Sequence, residues 1–188
     1  MSTTETDGEA GAAEARLEVR SHPLCLDHRP HLGHPELPGR VTAVLEALAP
    51  PADARWRLIP DSPLPPEGDV LGVLEWVHDG AYIERVRSAA ASAKGWLDSE
   101  DCAVSAGTFA SATAAAGLAL QAGLDLVNHR VDRVFVAARP PGHHAERDRA
   151  RGYCFFNAAA LAAEVVVRSW NRPVLIVDFD ALHGNGTQ

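Results

Sequence analysis

Cysteine is scarce in this 188-residue sequence, and its three cysteines show no paired spacing. Cys25, Cys102 and Cys154 lie far apart along the chain, so the pattern does not indicate a disulfide framework. We therefore expect three buried thiols in a reducing compartment, which predicts a cytoplasmic protein.

The sequence also lacks an excess of positive charge. It has 17 Lys and Arg residues against 25 Asp and Glu residues, which gives a net charge of -8. This acidic balance provides no electrostatic reason to expect nucleic-acid binding. No apolar run approaches the roughly 20 residues of a membrane span, and the acidic N-terminus lacks the basic and apolar regions of a signal peptide. We therefore expect neither nucleic-acid nor membrane partners.

The remaining composition is typical of a folded domain, with 46% hydrophobic residues. A chain of this length can form one domain that buries about 70% of its unfolded surface. Residues 1–15 are small, polar and acidic, so we predict a disordered tail there. Residues 16–188 are then predicted to form the domain.

Strand-like and helix-like segments alternate along the domain. Short β-rich runs predict strands at 17–20, 56–59, 134–138 and 174–177. Apolar periodicity or a lack of breakers predicts helices at 41–48, 81–93, 109–127 and 156–167. Continuous apolar strands joined by helices indicate a parallel sheet that is covered on both faces. The predicted fold class is therefore α/β.

Two polar clusters follow the last two predicted strands. His143 and His144 come after strand 134–138, and Asp178 and Asp180 come at the end of strand 174–177. Ligands of such sheets bind at the carboxyl ends of the strands, so we expect the clusters to meet at one rim. Residues i and i+2 share a face of a strand, and buried carboxylates are costly unless they are paired or bind a cation. The sequence therefore predicts a metal or acid-base site.

Three motifs in the same region carry a resemblance to a known family. RPPGHHA, GYCFFN and VDFDALHGNGTQ occur in this order between residues 139 and 188. Together they resemble the zinc-dependent histone deacetylase family, especially its bacterial class II-like members and acetylpolyamine amidohydrolases. The segment LDHRPHLGHPELPGR near the N-terminus is similar to the same family. The resemblance implies an arginase/deacetylase fold and hydrolysis of acetylated lysine or acetylated polyamines.

The resemblance also implies catalytic roles. His144 matches the general base, and His143 matches its electrostatic partner. Asp180 matches a zinc ligand, and Asp178 matches a residue that orients His143 and helps to bind potassium. Asn185 matches the residue that orients the second histidine. From the residues alone, the His pair could be polar loop residues, and an Asp after a strand could be a turn or helix cap.

Further matches concern substrate binding and the remaining histidines. Tyr153 and Gly152 match residues that line the acyl-lysine tunnel, and Asp101 matches a rim aspartate that binds the substrate backbone. A loop Asp before a helix is also commonly exposed without any such role. The other histidines show no ligand spacing, so we predict loop and surface positions for His22, His28, His31, His34, His78 and His129.

The chain departs from the resembled pattern at one ligand position. The family pattern is Asp-x-Asp-x-His-His-Gly, and here Leu182 occupies the position of the zinc-ligand histidine. His183 takes the next position, which is not the ligand in the family. On a strand, His183 would face away from Asp180. Leucine has no side-chain lone pair for zinc.

The family domain also continues beyond this motif, with a third zinc ligand and an oxyanion-binding tyrosine. We therefore expect a truncated domain, either marginally stable or completed by a partner, since an unpaired apolar edge invites aggregation. Two functions stay open: zinc-dependent deacetylation, or a degenerate chain that is inert or only binds. Ureohydrolase chemistry is more distant, because it needs two metals and more Asp and His ligands.

Overall fold

The computed structural model describes residues 17–50, 55–93 and 95–188. The predicted tail at 1–15 lies outside the described residues. Three parallel strands form a sheet in the order β2-β1-β3: β1 is Leu17–Arg20, β2 is Trp56–Ile59 and β3 is Arg133–Val136. Val19 in the middle of β1 pairs with Leu58 on one side and Phe135 on the other. The first three predicted strands are therefore confirmed within two residues.

Five α-helices lie within the described residues. They are α1 (Gly39–Ala47), α2 (Glu67–Leu74), α3 (Gly80–Ser92), α4 (Thr108–Val127) and α5 (Ala158–Trp170). All four predicted helices are confirmed, and α2 was not predicted. A short 3-10 helix, Pro23–Leu26, follows β1.

The core is built around α4, which is buried along most of its length. Its small residues allow close packing: a Cβ on Gly123 would lie 3.1 Å from Val165 Cγ1 of α5. By length and composition α4 could cross a membrane, contrary to the expectation that no run approaches that length. However, 72% of its apolar window is buried inside the protein, which explains the apolar composition by core packing.

Helices lie on both faces of β3. Successive side chains of a strand point to opposite faces, so the neighbours of each side chain show what covers each face. Val134 and Val136 line a groove beside α4 and α5. Phe135 lines a second cavity together with Val41 and Val44 of α1. The observed arrangement agrees with the predicted α/β class.

The predicted strand at 174–177 is wrong, so the segment does not extend the predicted parallel sheet. This segment has no strand partner among the described residues, and Leu175 and Val177 are 86% and 72% exposed. An extended segment becomes a strand only when a neighbour takes up its backbone N–H and C=O groups. β3 pairs with β1 but not with this segment.

A buried ion pair connects the first loop to the end of β3. The guanidinium of Arg139 donates from Nε and Nη2 to the two carboxylate oxygens of Glu36, at 2.9 and 2.5 Å. Its Nη1 also donates to the carbonyl oxygen of Cys25 at 2.8 Å. The side chains of Arg139 and Glu36 are 3% and 1% exposed, so this pair fixes the loop from inside the protein.

Three histidines were wrongly predicted to be surface residues. His28, His34 and His78 are 1%, 5% and 1% exposed. The ring of His28 contacts Thr108 Oγ1 through Nδ1 at 2.9 Å, and its Nε2 lies 3.5 Å from Glu36 Oε2. Such side chains are buried because distant segments of the chain cover them.

His28 gives a prediction about acid sensitivity. Burial lowers the pKa of His28 from 6.5 to about 4. Between these values the unfolded chain takes up a proton that the folded chain does not, so stability falls as the pH falls through this window. The slope from one such group is at most about 1.4 kcal/mol per pH unit.

Urea unfolding between about pH 7 and pH 5 measures this effect. We expect His28→Gln to flatten the pH dependence of the free energy of unfolding. His31→Gln changes an exposed loop residue and should leave that dependence unchanged. An equally steep dependence in both variants would assign the acid sensitivity to other groups.

Candidate active site

Two loops bring the predicted polar clusters together. One follows β3 and carries His143 and His144, whose ring centroids lie 4.0 Å apart at an interplanar angle of 42°. The other carries Asp178 and Asn185 near the C-terminal end of the sequence. Gly186 N donates to His143 O at 2.9 Å and joins the two loops. The predicted proximity is therefore observed, although it arises from loop packing and not from paired strands.

Each histidine has its own oxygen partner. His143 Nδ1 lies 2.8 Å from Asp178 Oδ2, and His144 Nδ1 lies 2.6 Å from Asn185 Oδ1. The hydrogen bond from His143, followed by the one from Asp180 N, lowers the pKa of Asp178 below 3.8. An ionised Asp178 accepts a hydrogen bond from His143 Nδ1, so this geometry leaves the Nε2 atom of His143 free.

The Gly-Asn-Gly turn can form only without side chains at its two glycines. A Cβ on Gly184 would lie 2.4 Å from Asp178 Oδ2. A Cβ on Gly186 would lie 2.1 Å from Ala145 O. The glycines therefore let the turn approach the histidine loop closely enough for Asn185 to reach His144.

Gly152 and Tyr153 form a strained turn against the second histidine. Both have positive φ angles, of 53° and 67°. A Cβ on Gly152 would lie 2.2 Å from His144 Cδ2, so only glycine allows this approach. The Tyr153 ring makes an edge contact with His34 at a centroid distance of 5.0 Å. The structure thus brings Gly152 against His144, while Tyr153 packs against His34.

Asp101 is exposed, and it holds the same turn in place. Its Oδ2 accepts a hydrogen bond from Gly152 N at 3.0 Å, and its backbone oxygen contacts His34 Nε2 at 3.2 Å. A carboxylate oxygen of Asp101 also accepts from Ser99 Oγ. Asp101 therefore supports the turn at Gly152, while its predicted contact with a substrate backbone stays a prediction.

Asp178 and Asp180 are exposed, contrary to the expectation of buried carboxylates. Asp178 Oδ1 accepts from Asp180 N at 3.1 Å, and Asp180 Oδ1 accepts from Leu182 N at 2.8 Å. These are Asx-turn contacts, in which a side-chain oxygen accepts a hydrogen bond from the backbone N–H two residues further along the chain. They correspond to the turn alternative. The second carboxylate oxygen of Asp178 contacts His143 Nδ1.

The residues around Asp180 do not fit a complete zinc site. Leu182 is 65% exposed, and the His183 ring contacts Gln188 Oε1 at 2.8 Å. Within 17–50, 55–93 and 95–188, no three His, Cys, Asp or Glu side chains converge as metal ligands. A catalytic zinc site uses three protein ligands, and within these described ranges Asp180 is not joined by two further ligand side chains.

The three cysteines are free and buried, as predicted. Burial raises the pKa of Cys102 and Cys154 to about 12. Both thiols therefore stay protonated near neutral pH, as is typical of buried structural cysteines.

Sequence reasoning missed a second layer of polar residues behind the histidine pair. Asn185 Nδ2 donates to Glu146 Oε1 at 2.6 Å. His78 Nδ1 donates to Glu146 O at 2.8 Å, and His78 Nε2 accepts from Asn157 N at 2.9 Å. Glu146 stands two residues after the histidine pair, and this adjacency is the one signal that could have indicated it.

An apolar groove of about 660 Å³ lies next to this polar site. Its walls come from β3, α4 and α5, and its rim includes His143, Asp178 and Asp180. Small side chains such as Ala119 and Ala162 leave this space open. The site therefore combines a polar edge with an apolar wall.

Comparisons with known proteins agree with the fold and the motifs. A family model for the histone deacetylase domain matches residues 34–188. Histone deacetylase 15 of Arabidopsis thaliana is 35% identical over 155 residues, which cover 82% of this chain and 27% of that protein. Acetylpolyamine amidohydrolase 2 of Pseudomonas aeruginosa is 46% identical over 85 residues, which cover 45% of this chain and 24% of that protein.

A solved structure is similar as well. The crystal structure of the HDA15 HD domain matches with a TM-score of 0.82 and 31% sequence identity, covering 94% of this chain and 49% of that one. The chain thus spans about half the length, or less, of the relatives that it matches.

Proposed function

Because this chain belongs to the histone deacetylase family, we propose that its site acts on acetylated amines and that His144 is the general base for their hydrolysis. The observation that carries the proposal is the pair of contacts from His143 to Asp178 and from His144 to Asn185. Each partner offers an oxygen to Nδ1 and leaves Nε2 of the ring available. The two rings then present their Nε2 atoms from adjacent positions.

The proton transfers follow from this geometry. His144 donates its Nδ1 hydrogen bond to Asn185 and uses the Nε2 lone pair to accept a proton from water as the water oxygen attacks the acetyl carbonyl carbon. The C–N bond then breaks, and the protonated ring returns the proton to the leaving amine. Neutral imidazole has a suitable pKa for this work near pH 7. The products are acetate and a free amine.

The substrate class rests on the relatives and on charge. One relative is named a histone deacetylase and another an acetylpolyamine amidohydrolase, so acetyl-lysine and acetylpolyamine are the two candidate substrates. The net charge of -8 suits an acetylated polyamine, whose other amines stay cationic, whereas acetylation removes the charge of the lysine side chain itself. We assign Gly152 and Tyr153 to the acyl chain and Asp101 to the substrate backbone. A Cβ on Gly152 would meet His144, Tyr153 follows Gly152 in the same turn, and Asp101 accepts a hydrogen bond from Gly152 N.

The histone deacetylase family is generally zinc-dependent. For this chain, zinc binding by Asp180 and potassium binding by Asp178 stay predictions. No proton transfer above is routed through either ion, since the residues around Asp180 do not complete a ligand set.

A second function is favoured by one observation, the exposed Leu182 at a ligand position. A chain that cannot hold zinc could still bind an acetylated amine at the histidine pair without hydrolysing it. This function predicts saturable binding of an acetyl-lysine peptide, no acetate release and no stoichiometric zinc.

The decisive experiment measures acetate release from an acetyl-lysine peptide and from an acetylated polyamine, with the zinc content determined on the same sample. We expect His144→Asn to lower turnover by about 10²–10⁴-fold, the typical contribution of a general base. The matched control is His129→Asn, at a residue with a positive φ of 54° that asparagine tolerates.

Equal loss in both variants, or no loss in His144→Asn, would contradict the role of His144. Binding without acetate release by the unchanged protein would favour the second function.

Two further assignments extend the proposal. We infer that a strand-bearing partner segment completes the sheet beside β3, because within the described residues β3 pairs on one edge alone and Phe179 is 96% exposed. The free, buried cysteines support a reducing, cytoplasmic setting.

A further inference from the structure

The side chain of Asn185 has two chemically different ends, and His144 needs one of them. The amide oxygen accepts a hydrogen bond, whereas the amide nitrogen donates. If the oxygen faces His144 Nδ1, the ring carries its proton on Nδ1 and keeps its lone pair on Nε2. If the nitrogen faces it, the proton moves to Nε2 and the base is lost.

We propose that Glu146 is a positioning residue whose carboxylate fixes the orientation of the Asn185 amide and thereby the tautomer of His144. The proposal rests on the proposed function of His144 as a base. Glu146 touches neither the reacting atoms nor His144 Nε2, so it acts through Asn185.

The distances support this order of contacts. Asn185 Oδ1 lies 2.6 Å from His144 Nδ1, and Asn185 Nδ2 lies 2.6 Å from Glu146 Oε1. An ionised carboxylate can only accept, so Glu146 must meet the NH₂ end of the amide. The opposite orientation would bring an amide oxygen against a carboxylate oxygen and lose the charge-assisted hydrogen bond. The carboxylate therefore selects one of the two amide orientations.

Glu146 is itself held by contacts to its backbone and to its side chain. Its N–H donates to Arg149 O at 2.9 Å, and its carbonyl accepts from buried His78 at 2.8 Å. Arg151 Nη1 lies 3.7 Å from Glu146 Oε1 and supplies a positive charge beside the carboxylate.

His78 provides an independent reporter of this arrangement. Its Nε2 accepts from Asn157 N, so its Nδ1 carries the proton that points to Glu146 O. Asn157 also donates from Nδ2 to Thr187 Oγ1 at 3.0 Å, which anchors the far side of the Gly-Asn-Gly turn. If the loop around residue 146 collapses, the signals of His78 must change together with those of His144.

The test is ¹⁵N NMR of the histidine rings in the full chain, at a pH where the imidazoles are neutral. His144 is assigned from the signals that disappear in His144→Asn. In the unchanged protein we expect His144 to be protonated on Nδ1 alone. Glutamine can accept or donate, so in Glu146→Gln position 146 no longer selects one amide orientation. The longer contact from Asn185 Nδ2 to His144 O, at 3.4 Å, is then the weaker selecting contact that remains, and His144 should become a mixture of tautomers.

The matched control is Glu164→Gln, since Glu164 and Glu146 have side chains 37% and 36% exposed and each neighbours an arginine. We expect Glu164→Gln to leave His144 unchanged. A rescue variant combines Glu146→Gln with Asn185→Asp: a carboxylate at position 185 accepts in every orientation, so His144 should return to the Nδ1-protonated form.

The proposal is overturned if His144 keeps one tautomer in Glu146→Gln, if the rescue variant stays mixed, or if His78 changes alongside His144. These readouts need neither zinc nor turnover, so they separate the positioning role of Glu146 from the catalytic role of His144. If acetate release is absent while the tautomers respond as expected, the proposed hydrolysis fails and the positioning of His144 stands.

Discussion

Arg139→Ala is expected to destabilise the folded protein by about 3–5 kcal/mol. The substitution removes one partner of a buried ion pair and leaves the Glu36 carboxylate, 1% exposed, without its two guanidinium donors. It also leaves the buried carbonyl of Cys25 without the donor at 2.8 Å. His28 Nε2 and Arg40 Nη1 stay 3.5 and 3.8 Å from the carboxylate, but these distances do not replace the two lost hydrogen bonds. A buried charge that loses its main partner costs more than the pair itself contributes. Since folded domains are stable by about 5–15 kcal/mol, this loss is a large fraction of the total.

Urea unfolding monitored by circular dichroism measures the change, as a shift of the midpoint at constant slope. The matched control is Arg147→Ala, which breaks the Arg147–Asp79 pair at 2.8 Å, where both side chains are about half exposed. An exposed pair contributes about 0.2–1 kcal/mol. Similar losses in the two variants would show that burial does not determine the value of the Arg139 pair.

Gly152→Ala should both strain the backbone and displace the proposed base. The added Cβ would lie 2.2 Å from His144 Cδ2 and 2.8 Å from Cγ, and the residue has a φ of 53° that alanine disfavours. Backbone strain of this kind costs about 1–3 kcal/mol, and overpacking adds about 1–3 kcal/mol. Movement of His144 breaks its contact with Asn185, and a misplacement of about 1 Å can cost roughly 10²-fold in rate.

Gly33→Ala separates strain from displacement. Gly33 has a φ of 87°, yet no atom lies within 4 Å of the position that an added Cβ would take. We expect this variant to lose stability through backbone strain alone and to retain the ring signals of His144. For Gly152→Ala, the measurements are urea unfolding, the ¹⁵N shifts of His144 and acetate release. Unchanged His144 signals in Gly152→Ala would refute the steric role of this glycine.

Local patterns predicted the helices and three strands well. The helix predicted at 109–127 is observed at Thr108–Val127, and the strand predicted at 56–59 is observed at Trp56–Ile59. Helical hydrogen bonds and apolar periodicity lie within a few residues of each other, so a short window of sequence contains the required information. The same reasoning failed at 174–177, because a strand depends on a neighbour that no local window describes.

The contacts of the candidate site were also predicted only in part. The positions of the motifs after predicted strands indicated that the histidine pair would meet Asp178, and the family resemblance paired Asn185 with His144. The ring nitrogens of His143 and His144 do contact these two residues. The roles assigned to them stay predictions. No local pattern indicated that Glu146 would contact the Asn185 amide, because that contact depends on the fold of two loops that lie 39 residues apart.

Buried histidines illustrate what only the tertiary structure decided. His28 is enclosed by Thr108, 80 residues away, and His78 is enclosed by Asn157, 79 residues away. By itself, the sequence determined the α/β class, the four predicted helices, three strands and the order of the polar motifs, because these depend on local propensity and spacing. The packed structure decided which polar groups are buried, which atoms pair and where the carboxylates point, because burial and hydrogen bonding depend on segments that are distant in the chain.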